Sequence, residues 1–246
     1  MSRPRRIVAF GGGGFSMEAG NRLLDDYVLG ITGVERPKVC FLPSASGDAD
    51  HYIVRFYRHF PASRCEPTHV SLFRRDCGGV DGDMRAHLLA QDLIYVGGGS
   101  VISLLGVWRA HGLDVILREA WENGVALCGL SAGSLCWFAE GLTAFHAESR
   151  PIAGLGLLPC SNAVHYDQEK GRREAYHEAI AAGMPGGFAA SDGAALHFVG
   201  DGLHRAVGSR PDAKAYRVEK VGRQVVEVPL EVDYLGAPAP AGVLAA

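Results

Sequence analysis

A chain of 246 residues, 48% hydrophobic and 21% charged, is long enough to bury a large core as one α/β domain or two small ones, and its even texture favours one. Its 24 basic and 27 acidic side chains leave a formal charge of −3 without any Lys/Arg block, which excludes the basic field that nucleic-acid binding needs. The opening MSRPRRIVAFGGGG offers only a short apolar run before its glycines, too little for a signal-peptide core or a membrane span, so a cytoplasmic protein that does not touch membranes is expected.

In chain order, RIVAF (6–10), VCFLP (39–43), THVSLF (68–73), LIYVGGG (93–99) and VALCGL (125–130) read as buried strands. Between them NRLLDDYVLGI, DHYIVRFYRHF, DMRAHLLAQ, SVISLLGVWRAHG and LDVILREAWENG carry the apolar spacing of surface helices. This alternation predicts a parallel sheet with helices on both faces. The segment AGSLCWFAE (132–140) is expected to continue as a helix. After about residue 185, GFAASDGAALHFVG, HRAVGS, AYRVEKVG and QVVEVPLEV are short alternating runs split by turns, the texture of a mixed or antiparallel sheet edge. The expected organisation is one domain over 1–236 with a loose tail over 237–246. Cysteines at 40, 65, 77, 128, 136 and 160 show no CxxC pairing, and several sit in apolar runs, so neither disulfides nor a metal site is expected.

Chemistry concentrates in VALCGLSAGSLCWF (125–138). Ser131 falls where a buried strand gives way to a helix, with Gly129 and Gly133 on either side, so the segment is G-x-S-x-G. Such a turn strains its central residue and demands small neighbours, the geometry of a nucleophile elbow. The Ala132 amide, at a helix start, would face an oxyanion. The competing reading makes the glycines packing devices and Ser131 an N-cap. YVGGGS (95–100) ends another strand in glycines. Neither it nor AFGGGGFS (9–16) has the acid of a dinucleotide fingerprint or the Lys of a P-loop, so Gly98 and Gly99 read better as the source of a second oxyanion donor. A base is available in His165, a loop histidine downstream of the elbow with a polar, Arg-containing segment behind it, whereas His69 and His87 read as packing or surface residues and His197 as a core histidine. Asp192, after the apolar GFAA and before Gly193, reads as a strand-end acid or as a turn-forming Asp-Gly.

In order and spacing, YVGGGS, GLSAGSLCWF, GLGLLP and VHYD, with GGGGF and FLPSASGD before them, resemble the dipeptidase E and cyanophycinase family of serine peptidases over most of residues 6–200. The resemblance implies a flavodoxin-like fold akin to class I glutamine amidotransferases, and peptide-bond hydrolysis without metal or organic cofactor. It implies Ser131 as nucleophile, His165 as base, and the amides of Gly99 and Ala132 as the oxyanion hole. By the same resemblance Glu148 is the favoured orienting acid, with Asp192 second to it as a substrate contact or alternative orienter. Ser100, a candidate substrate contact, stands where the family commonly has Asn, so that the side-chain contact to the substrate's amino end would be shorter or lost. A basic residue beyond the histidine would receive the β-carboxylate of an N-terminal Asp. Arg173 matches best, with Arg172 next, against the reading of QEKGRREAYHEAI as an ordinary charged helix start. The expected partner is a short peptide, and a homodimer is left open. The alternatives are a cyanophycinase-like hydrolase and a non-catalytic binding module on the same fold; the amidotransferase version would need Cys at the elbow.

Overall fold

The computed structural model describes residues 3–73, 83–145 and 148–236; Cys77 and the tail 237–246 lie outside them. Up to residue 130 the expected alternation is the alternation of the fold. The elements are β1 (Arg6–Phe10), α1 (Gly14–Met17), α2 (Leu23–Gly30), β2 (Lys38–Leu42), α3 (Asp50–His59), β3 (Glu66–His69), α4 (Met84–Leu89), β4 (Leu93–Val96), α5 (Val101–His111), α6 (Leu113–Glu122) and β5 (Ala126–Leu130). After them come α7 (Ala132–Leu135), β6 (Phe138–Phe145), β7 (Glu148–Ala153), β8 (Leu158–Ala163), α8 (Arg172–Ala181), β9 (Gly187–Ala190), β10 (Ala194–Val199), β11 (Gly202–Gly208), β12 (Ala215–Val221), β13 (Gln224–Leu230) and β14 (Val232–Tyr234).

Strands β1, β5, β4, β2 and β3 lie side by side and parallel. Every residue of β4 and β5 is buried, because helices cover both faces; that is why these strands are continuous apolar runs rather than alternating ones. THVSLF leaves the sheet after Val70, whose amide still donates to the Phe41 carbonyl at 3.0 Å; the amides of Leu72 and Phe73 donate instead to Asp48 Oδ2, at 2.6 and 2.8 Å. The mixed edge is present: β10 runs antiparallel to both β1 and β11, and β14 completes an eight-stranded sheet in the order β14-β11-β10-β1-β5-β4-β2-β3.

A second sheet, six strands in the order β13-β12-β9-β8-β6-β7, departs from the reading of one sheet. Its origin is at AGSLCWFAE, which is helical only over Ala132–Leu135. Cys136, Trp137 and Phe138 are all fully buried, a demand that a surface helix with one apolar stripe cannot meet, and from Phe138 the chain runs extended against β7 and β8. The sheets share one core, in which Ile7 and Leu127 of the first pack with Leu158, Phe188 and Ala215 of the second and with Trp137 between them. Each such large apolar side chain contributes about 1.5–3 kcal/mol. Consecutive strands β9 and β10 belong to different sheets, and the step between them is Ser191-Asp192-Gly193.

Candidate active site

Ser131 leaves the carboxyl end of β5 with φ 54° and ψ −115°, a conformation that L-residues seldom adopt. The flanking glycines are obligatory. A Cβ on Gly129 would stand 2.2 Å from the Gly133 carbonyl oxygen, and one on Gly133 2.4 Å from that of Val96. G-x-S-x-G is therefore a packing requirement of this turn, and the turn lifts the serine side chain above the sheet edge.

His165 follows β8, also at positive φ (53°), with its amide bonded to the Gly11 carbonyl at 3.1 Å. Its Nε2 lies 2.9 Å from Ser131 Oγ and its Nδ1 2.6 Å from Asp192 Oδ1. With the imidazole neutral and protonated on Nδ1, the ring donates to Asp192 and accepts from the serine hydroxyl. Histidine and aspartate side chains are 16% and 14% exposed, so the pair is screened from bulk water yet reachable. Asp192 is fixed from two sides: its amide donates to Gln168 Oε1 at 2.9 Å, and it bridges Gly12. A Cβ on Gly12 would come within 2.1 Å of Asp192 Oδ1 and 2.9 Å of His165 Cε1, so the opening glycine run makes room for the acid and the imidazole. A buried bond ties the two segments together, Asn162 Nδ2 donating to Ser134 Oγ at 2.9 Å. Asn162 stands three residues before the histidine and Ser134 three after the serine.

Beside these groups is a cavity of about 130 Å³ lined by Gly99, Ser131, Ala132, Leu142, His165, Glu169 and Arg172 among others. Among the described residues, the amides of Gly99 and Ala132 donate to no protein acceptor. Gly99 holds φ 140°, and a Cβ there would meet the Ala45 carbonyl at 2.2 Å; Ser100 N donates to that same carbonyl at 2.8 Å. The FLPSASGD segment thus shapes the glycine loop. The Arg172 side chain is 3% exposed; it pairs with Glu169 and donates through NH1 to the Leu142 carbonyl at 3.1 Å, while its Nε has no partner.

Three expectations need correction. Glu148 is exposed, opposite Phe145 in the β6–β7 ladder, and the Nδ1 position it was expected to fill is taken by Asp192. Arg173 does not line the cavity: its guanidinium pairs with Asp167 and Glu227, because one step along α8 turns it away from Arg172. Ser100 caps α5, its Oγ accepting from Ser103 N at 3.2 Å, and does not line the cavity. Gly12, Gln168 and Glu169 were not singled out from the sequence. The only hints were the glycine run itself and the polar DQE that follows the histidine. Among the described residues no three His, Cys, Asp or Glu side chains are grouped to hold a metal ion, and no helix is long and apolar enough to cross a membrane.

A serine on a strained turn, a histidine on its hydroxyl and a carboxylate behind the ring, at the carboxyl edge of an α/β sheet, are the parts of an acyl-transfer hydrolase. The profile of Peptidase family S51 matches residues 7–206, from β1 into β11, and the chain belongs to that family and is a peptidase. It is 48% identical over 233 residues to the uncharacterized peptidase YgaJ of Bacillus subtilis (strain 168), a match covering 94% of this chain and 100% of YgaJ. The crystal structure of a peptidase from an acI-B1 Actinobacterium superposes with a TM-score of 0.63 at 14% identity, covering 92% of this chain and 97% of that one. A structure described as a peptidase E protein, from Listeria monocytogenes EGD-e, gives 0.52 at 14% identity, covering 93% and 100%. These structures share the fold.

Proposed function

We propose that the protein is a serine peptidase that removes an N-terminal aspartate from short peptides through Ser131, His165 and Asp192. The observation that carries this reading is the continuous chain Asp192 Oδ1, His165 Nδ1, His165 Nε2, Ser131 Oγ, at 2.6 and 2.9 Å, opening on a cavity that also holds Arg172.

Ser131 Oγ attacks the scissile carbonyl carbon as its proton passes to His165 Nε2, and the carbonyl oxygen, now an anion, accepts from the amides of Gly99 and Ala132. Collapse breaks the C–N bond, the leaving amine takes the proton from Nε2, and an ester on Ser131 remains. Water, deprotonated by His165, attacks that ester; the C–Oγ bond breaks and the proton returns to the serine. Asp192 holds the imidazole in the required tautomer and stabilises its cationic form.

Arg172 supports the substrate reading. The cavity beside Ser131 is small, about 130 Å³, and its lining includes His165, Glu169 and Arg172, which suits a short charged side chain. The planar fork of Arg172, whose Nε has no partner, suits a carboxylate. A panel of Asp-X, Asn-X and Ala-X dipeptides tests this. The wild type should prefer Asp-X, and Arg172→Ala should lower kcat/KM for Asp-X by roughly ten- to a hundredfold, one charged hydrogen bond of about 1.5–3 kcal/mol, while Ala-X changes little. An equal loss on both substrates would remove Arg172 from specificity.

A further inference from the structure

We propose that Arg173 and Glu227 are positioning residues for the base: their ion pair, clasped between Tyr166 and Tyr216, fixes the loop that carries His165 and so keeps the imidazole on Ser131 and Asp192. The proposal rests on the triad reading above and assigns a task to an arginine that does not reach the cavity.

The loop begins at the strained His165 and is tied down at each following residue. Tyr166 is buried, and its phenol donates to Glu227 Oε2 at 2.6 Å. Asp167 accepts from Arg173 NH2 at 2.5 Å and from Tyr216 OH at 3.3 Å. Gln168 holds the amide of Asp192, and Glu169 pairs with Arg172 in the cavity. The ties from Tyr166 and Asp167 converge on Arg173 and Glu227. The Arg173 guanidinium lies 4.7 and 4.6 Å from the ring centroids of Tyr166 and Tyr216, and it also pairs with Glu227. Glu227, on β13 with its side chain 14% exposed, accepts further from His177 Nε2 at 3.0 Å. One carboxylate on the edge strand of the second sheet therefore gathers donors from the residue after the catalytic histidine and from two residues of α8.

Such a hub exceeds an ordinary surface ion pair, since three donors, two ring faces and a second carboxylate constrain one another. Burial, followed by the Glu227 carboxylate, pushes the Tyr166 phenol up, so it remains a donor. Only arginine can bond two carboxylates while stacking on two rings; lysine supplies charge without the plane. The backbone of His165, held at φ 53°, has easier conformations available to it, and its place depends on what fastens the residues after it.

The test compares Arg173→Ala, Arg173→Lys and Glu227→Gln with the wild type by two readouts. The first is the far-downfield proton resonance of the His165 Nδ1–H bonded to Asp192, assigned by its loss in Asp192→Asn. The second is kcat and KM on Asp-X. Arg173→Ala and Glu227→Gln should broaden or abolish the resonance and lower kcat by roughly ten- to a hundredfold with KM within about twofold, and Arg173→Lys should recover part of both. A sharp, unshifted resonance in Arg173→Ala and in Glu227→Gln overturns the proposal, as does a loss confined to KM. Should Arg173→Ala fail to fold, the isosteric Glu227→Gln decides. A wild type that cleaves no Asp-X peptide refutes the substrate reading alone, because the resonance still reports on the loop.

Discussion

Ser131 and His165 each hold a positive φ, 54° and 53°, and each such residue costs about 1–3 kcal/mol that the surrounding packing must offset. Both were legible in the sequence as candidates, because an elbow writes itself locally as G-x-S-x-G and the histidine follows the glycine-punctuated GLGLLP. The choice of acid was not legible, for the sequence offered Glu148 first and Asp192 second. Asp192, bonded to His165 Nδ1, stands where the chain steps from one sheet to the other; its place at a strand end was legible, the change of sheet was not. Glu148, favoured by the resemblance, stands instead opposite Phe145 in the β6–β7 hairpin, a pairing that its short segment did not announce. The two arginines show the same limit. Whether Arg172 or Arg173 faces the cavity depends on the phase of α8, set by Gly171 at φ 77° before its first residue, and one residue of helix turns a side chain by about 100°. The assignment predicts that Asp192→Asn lowers kcat by up to about 10⁴ with KM little changed, while Glu148→Gln stays near the wild type. Steady-state kinetics of both variants checks it, and the reverse ranking would restore Glu148.

At the scale of elements, strand β10 carries a buried histidine with a different job. His197, 5% exposed, lies 2.7 Å through Nδ1 from the Tyr27 hydroxyl of α2, and the two share a hydrogen bond. Burial, with His204, Arg6 and Arg205 adding to it, holds this imidazole down at about 4 against an ordinary 6.5. The folded state therefore resists a proton that the unfolded chain accepts at about 6.5. Stability linked to this group is complete above that pH and is lost progressively as pH falls towards 4, by about 1–3 kcal/mol after allowing for solvent screening. Urea unfolding at about pH 7.5 and 4.5 should show a smaller acid loss in His197→Asn than in the wild type. Parallel losses would mean that this histidine is not linked to folding. The sequence reading of His197 as a core residue holds. The reading of AGSLCWFAE as a long helix fails because three successive buried side chains outvote the helix start that precedes them.

Across the whole molecule, the parallel sheet and the second sheet divide the site between them. The first supplies Ser131 from the end of β5 and the Gly99 loop after β4; the second supplies His165 from β8 and, through β6, the Leu142 wall of the cavity. The periodicity up to residue 130 revealed the first half because each strand there is a local apolar run. In the second sheet the runs of β9, β12 and β13 were legible as strands, whereas β6, β7 and β8 were not, because β6 begins inside a segment that starts as a helix and pairs in parallel with β8. Asn162 bonded to Ser134 and the shared core of Ile7, Trp137 and Phe188 make the two halves one unit. The central claim is that these halves meet to make Ser131 a nucleophile, and an active-site fluorophosphonate with mass mapping of the adduct tests it most directly. The account predicts one adduct, on Ser131, slowed by an Asp-X dipeptide, absent in Ser131→Ala and strongly slowed in Asp192→Asn; no adduct on the native protein, or one on another serine, would contradict it.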